Sequence, residues 1–135
     1  MDLQERKVRA SLLHSRGYNC AQCILLSFDD YTGLSSVAAS SLAMGLGAGV
    51  GAQGEVCGAL LGMSLVLGMV RGEDPAIKPK VNKEVRELTR RFRERNNDRY
   101  LCRELKRVQP VRPCDDIVAD SVEILHDYLQ ETKGQ

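Results

Sequence analysis

The fifteen residues from Val56 to Val70, VCGALLGMSLVLGMV, carry no charged side chain. They read as part of a helix over about 55–70 that is apolar almost all round. Such a helix either sits at the centre of a bundle or crosses a membrane. A span needs about 20 apolar residues. The run is shorter than that, and neither Glu55 nor the flanking glycines extend it. Gly58 and Gly62, four positions apart, remove side chains from one face, which lets a second helix approach closely. The expectation is a buried helix with others packed around it, and no membrane span.

Working outward, Gly45 to Gly54 holds five glycines in ten residues. That run permits unusual backbone angles and disfavours a regular helix. Beyond it, apolar residues recur at helical spacing and never alternate as in a strand. A first helix over 2–15 turns Val8, Leu12 and Leu13 inward and ends near Gly17. A second, from about Asn19 to Tyr31, has Ala21, Ile24, Leu25 and Phe28 on one face. Ser35 or Ser36 caps a third that runs to Met44. Arg71 to Pro75 forms a turn, and Pro79 closes the linker. A helix over 81–96 aligns Val81, Val85, Leu88 and Phe92, and a short one covers 99–107. The last, over 114–131, has one row of Val118, Val122, Leu125 and Leu129 beside another of Ile117, Ser121, Ile124 and Tyr128. The predicted fold is all-α: a single domain over 1–135, with about six helices around the apolar one.

The 135 residues are 43% apolar and 27% charged, with net charge +1 and no Trp. No global field draws the chain to nucleic acid or an anionic membrane. Residues 71–109 are locally basic, with 13 basic and 7 acidic groups. Lys83, Glu87 and Arg91 form i,i+4 pairs there. Arg90, Arg93, Arg99 and Arg103 have no evident helical partner. Without interleaved aromatics this face reads as solvated rather than nucleic-acid binding. Met1 is followed by Asp2 and Glu5 instead of an apolar leader, so a cytoplasmic location is expected. Disulfides there are uncommon and reversible.

Five cysteines stand out: Cys20, Cys23, Cys57, Cys102 and Cys114. Cys20 follows Asn19, a good N-cap. Cys114 follows Pro113 and precedes two aspartates. Cys57 leaves the glycine run, and Cys102 comes soon after Asn96-Asn97-Asp98. Each setting marks a helix start, where partial positive charge favours a thiolate. Thiolates are nucleophiles and metal ligands. Cys20 and Cys23 form a C-x-x-C pair, which can be redox-active or can bury one cysteine as a small apolar residue. The two pairs of a zinc ribbon and the closely spaced run of a ferredoxin are both absent. His14 and His126 are further candidate ligands, although lone helical histidines usually serve packing or surface roles.

The stretches Gly17-Tyr18-Asn19-Cys20-Ala21-Gln22, Gly54-Glu55-Val56-Cys57-Gly58-Ala59-Leu60-Leu61-Gly62, Leu101-Cys102-Arg103-Glu104-Leu105 and Cys114 resemble, in order, the redox-active proteins known by the cysteine pattern C_GCAxxG_C_C. The central motif here reads Cys-Gly-Ala-x-x-Gly, with no glycine directly before the cysteine. The resemblance implies that Cys20, Cys57, Cys102 and Cys114 are the family cysteines and that Cys23 is an extra. The reading that follows is a redox protein whose four cysteines converge near the glycine run. They would ligate an iron–sulfur cluster or zinc, or exchange electrons as thiol and disulfide. Gly58 and Gly62 would keep a bound group close to Cys57. The alternative is a non-catalytic helical binding module with structural cysteines. The redox partner is not identifiable from the sequence, and self-association is left open.

Overall fold

The computed structural model describes residues 1–134. Among them are eight α-helices: α1 (Leu3–Ser15), α2 (Cys20–Ser27), α3 (Asp29–Thr32), α4 (Ser36–Leu42), α5 (Gly58–Arg71), α6 (Lys78–Arg95), α7 (Cys102–Arg107) and α8 (Cys114–Glu131). Short 3-10 turns occupy Met44–Leu46 and Pro75–Ile77. One isolated antiparallel bridge joins Val56 to Leu101, and no strand forms among the described residues. The fold is all-α, as predicted. No helix among the described residues is long and apolar enough to cross a membrane.

The apolar helix α5 shares the centre of the bundle with α2. Seven of the eight residues of α2 are buried, Ala21 to Ser27. α5 buries Ala59, Leu60, Met63, Val66 and Leu67, together with Gly58 and Gly62. The glycine pair faces α2. A Cβ on Gly62 would lie 2.7 Å from Cβ of Ile24 and 3.1 Å from the Ala21 carbonyl oxygen. α5 begins at Gly58 rather than near 55. Val56 is held in the bridge to Leu101, and the Cys57 N–H donates to the Tyr100 carbonyl at 2.9 Å. Those bonds hold the chain extended immediately before the helix.

Three other expectations change. In α1, Val8 and Leu12 are 57% and 47% exposed, while Arg6 and Ala10 are buried. The inward stripe is Leu3, Arg6, Ala10 and Leu13. Arg6 sets this rotation. Its guanidinium makes two bonds of 2.6 Å to Asp30, donates to the Ser27 carbonyl at 2.8 Å and stacks 4.4 Å from the Phe28 ring centre. Those partners satisfy a charge that the helix pattern alone assigns to solvent. The predicted 19–31 helix breaks at Phe28, whose φ of −121° leaves the helical region, and α3 resumes beyond it. Pro79 falls in the first turn of α6, which begins at Lys78. Proline suits that position because no helical N–H is lost there.

α8 follows its predicted bounds and buries both apolar rows. Most of the arginine-rich face of α6 is paired. Arg86 has no ion pair among the described residues, and the expected Lys83–Glu87 pair does not form, because Arg90 and Arg91 take Glu87. Arg90 binds Glu87 and Glu94, Arg91 binds Glu87 and Glu131, Arg93 binds Asp98, and Arg95 binds Asp120 and Glu123. Arg99 donates to the carbonyls of Val108 and Gln109, and Arg103 binds Glu55.

Candidate thiol site

Each of the four predicted site cysteines stands at a helix start. Cys20 opens α2 behind Asn19. The Asn19 side chain accepts from the Gln22 N–H at 2.8 Å, and Gln22 Oε1 accepts from the Asn19 N–H at 2.9 Å, a reciprocal capping box. Cys102 opens α7, Cys114 opens α8, and Cys57 directly precedes α5. The Val56–Leu101 bridge gathers two of them. The Cys102 N–H donates to the Glu55 carbonyl at 2.7 Å, the counterpart of the Cys57–Tyr100 bond. Residues on either side of a bridged residue share one face, so Cys57 and Cys102 point the same way.

The glycine run forms the adjoining wall. Residues 48–52 all have positive φ, including Ala48, Val50 and Ala52. A β-branched residue there is strained, so surrounding bonds must hold it. The Gly54 and Glu55 N–H groups donate to the Ala48 and Gly49 carbonyls at 3.2 and 3.0 Å. Gly49 cannot be replaced easily: a Cβ would lie 2.5 Å from the Glu55 nitrogen and 2.8 Å from Cβ of Cys102. Cys20, Cys57, Cys102 and Cys114 all line one cavity of about 390 Å³. His14, Gly58, Arg103, Lys106 and Arg107 line it too. Gly62 lies a turn farther along α5 against Ile24 and is not part of that lining.

The four sulfurs are not equivalent. The Cys20 and Cys114 sulfurs lie within 4.8 Å of each other, and the Lys106 ammonium donates to the Cys114 sulfur. Together Cys20 and Lys106 hold the Cys114 pKa down to about 5 against the effect of burial. The proximity of Cys114, with burial added, pushes Cys20 far upward. Burial raises Cys57 to about 11, although the Ala59 and Leu60 N–H groups oppose it. Burial also raises Cys102, opposed by Lys106 and Arg107. A helix start by itself therefore does not make a thiolate here. The two sulfurs, Cys20 and Cys114, titrate as a pair, and the Lys106 ammonium against Cys114 favours the charge on that sulfur. Cys23 faces the core, fully buried, 3.7 Å from the Tyr18 carbonyl, and burial lifts it to about 12.

The donor atoms of His14, Cys20 and Cys114 lie within 4.8 Å of one another. This trio suits a soft ion such as zinc, with one position left for a further ligand. His14 Nδ1 is 2.5 Å from an Asp115 oxygen, a contact that orients the ring. Cys57 and Cys102 share the cavity but not that close group. His126 lies elsewhere and accepts from Arg6 at 3.2 Å. Of the α7 cations, only Arg103 is singled out from the sequence, as part of a solvated basic face, and Lys106 and Arg107 are left out. Their signal was present, because Arg103, Lys106 and Arg107 follow Cys102 at helical spacing.

No curated protein and no solved structure matches the chain. A family model matches residues 18–128, from just before Cys20 to beyond Cys114. With four cysteines at four helix starts around one cavity, the chain belongs to the family described as "Putative redox-active protein (C_GCAxxG_C_C)".

Proposed function

We propose that the protein is a dithiol redox protein of a reducing compartment such as the cytosol, with Cys114 as nucleophile and Cys20 as resolving thiol. The observation that carries this reading is the Lys106 ammonium on the Cys114 sulfur, with the Cys20 sulfur within 4.8 Å of it. One charged and one protonated sulfur side by side is the arrangement that disulfide exchange uses. The Cys114 thiolate attacks one sulfur of a disulfide RSSR. A mixed Cys114–S–S–R bond forms and RS⁻ leaves. Cys20 passes its proton to that leaving thiolate and attacks the Cys114 sulfur. The Cys20–Cys114 disulfide forms and the second RS⁻ departs. Two electrons pass from the protein to RSSR, which becomes RSH and RS⁻. Cys57 and Cys102, protonated at neutral pH, line the cavity without entering this exchange.

The test is exposure of anaerobically reduced protein to hydroxyethyl disulfide, followed by peptide mapping. Two free thiols should be lost, with Cys20 joined to Cys114. Cys114→Ser should abolish the reaction, and Cys23→Ser should preserve it. A Cys20–Cys23 disulfide as the main product would overturn the assignment.

A second reading rests on the donor trio. His14, Cys20 and Cys114 would hold a zinc ion, or the four cavity cysteines an iron–sulfur cluster, which would supply Lewis acidity or one-electron transfer respectively. Stoichiometric metal, with or without acid-labile sulfide, in anaerobically purified protein would favour this reading. Loss of that metal in His14→Ala would select the trio. Metal-free protein that still oxidises at Cys20 and Cys114 would exclude it.

A further inference from the structure

The cavity around Cys114 is cationic. Lys106 and Arg107 line it from α7, with Arg103 one turn earlier; His14 also lines it and is bonded to Asp115. No carboxylate lines it. Arg103 is shared with Glu55, and Lys106 is engaged by Cys114. Arg107 makes no ion pair among the described residues; Arg16, Arg86 and Arg99 share that property, but of the four only Arg107 lines the cavity. The remaining wall is apolar, from Ala48, Ala52, Leu105 and Ile117. Its volume of about 390 Å³ is of small-molecule size.

From this geometry we infer that the disulfide received at Cys114 is a small one bearing carboxylates, of about the size of cystine, with a carboxylate bound by Arg107. The apolar wall covers the methylene carbons and sulfurs, and the guanidinium supplies a planar pair of donors that matches a carboxylate. The inference rests on the dithiol reading above. Its balance is the same. The carboxylate-bearing disulfide gains two electrons and one proton, leaving one thiol and one thiolate, while Cys20 and Cys114 become a disulfide.

The experiment compares three disulfides of similar length under single turnover: dithiodipropionate, which is anionic, hydroxyethyl disulfide, which is neutral, and cystamine, which is cationic. The expected order of rates is anionic, neutral, cationic, narrowing as salt rises. Arg107→Gln, an exposed position, should lower the anionic-to-neutral rate ratio by about tenfold, as loss of one charge-assisted pair predicts. Equal rates for all three disulfides in the wild type would overturn the inference and leave the dithiol reading standing. A correct order that survives in Arg107→Gln would overturn the assignment to Arg107. Failure of every disulfide to join Cys20 to Cys114 would overturn the dithiol reading itself, and the inference with it.

Discussion

Two neighbours from other elements, Cys20 on α2 and Lys106 on α7, lower the pKa of Cys114. Replacing Lys106 by Met removes one of them and keeps most of the side chain's length. Alkylation of Cys114 should show a pH midpoint near 5 in the wild type. In Lys106→Met that midpoint should rise by about one to two pH units. Mass spectrometry of the labelled peptide across pH reads this directly, and an unchanged midpoint would remove Lys106 from the account. The same charge is linked to stability. The folded pKa lies below the ordinary thiol value of 9.0, so the contribution is complete above that value. It is lost as pH falls from about 9 through about 5. Cys20, shifted upward, acts only above the ordinary thiol range. Denaturation of reduced wild type and Cys114→Ser should therefore diverge with rising pH inside that window.

The glycines of α5 act at the level of the element, through the approach of α2. A Cβ on Gly58 would lie 3.1 Å from the Leu46 carbonyl oxygen and 3.3 Å from the Ala21 nitrogen, both backbone atoms. Gly68, in the same helix, has nothing within 4 Å of such a Cβ. The two positions therefore predict opposite signs. Gly68→Ala should stabilise by up to about 1 kcal/mol through helix propensity. Gly58→Leu should destabilise by roughly 1–3 kcal/mol, because overpacking outweighs propensity, and should slow oxidation at Cys20. Thermal melts of the two variants decide it, and a stabilised Gly58→Leu would mean that close packing there has no energetic weight. α1 teaches the complementary lesson. Its periodicity favours Val8 and Leu12, yet the buried Arg6 network turns another stripe inward.

Across the whole molecule, acidic groups are held in the charged form by basic partners. Arg6 keeps Asp30 low, Lys7 and Arg95 keep Glu123 low, Arg91 keeps Glu131 low, and Arg90 with Arg91 takes Glu87 to about 2. Glu84 is also lowered, because Arg71 and Tyr128 together outweigh its burial. Carboxylates with depressed values stabilise above their unfolded pKa and lose that contribution as pH falls through the folded one. Acid unfolding followed by far-UV circular dichroism should therefore begin below about pH 4.5, in the range where unfolded carboxylates take up protons. Added salt should move the onset to higher pH by screening the exposed pairs. An onset unaffected by salt would assign acid sensitivity to the buried pairs alone.

Local chemistry along the chain sufficed for the helical class, the bounds of α8 and the position of four cysteines at or beside helix starts. Capping by Asn19, the stop at Gly17 and the break around Pro110 and Pro113 act over a few residues, so a linear pattern contains them. It contained less about helix rotation and almost nothing about ionisation. Arg6 is buried only because Asp30 and the Ser27 carbonyl converge on it. The start of α5 moved to Gly58 because Leu101, far along the chain, engages Val56. Cys57 and Cys114 both stand at helix starts, yet burial raises the first and two neighbours lower the second. A thiol's pKa is a sum over desolvation and through-space charges, and those are assigned only when distant helices meet. The tertiary structure alone thus decided which sulfur Lys106 meets, which cysteine lies beside it and which arginine of the cavity has no ion pair.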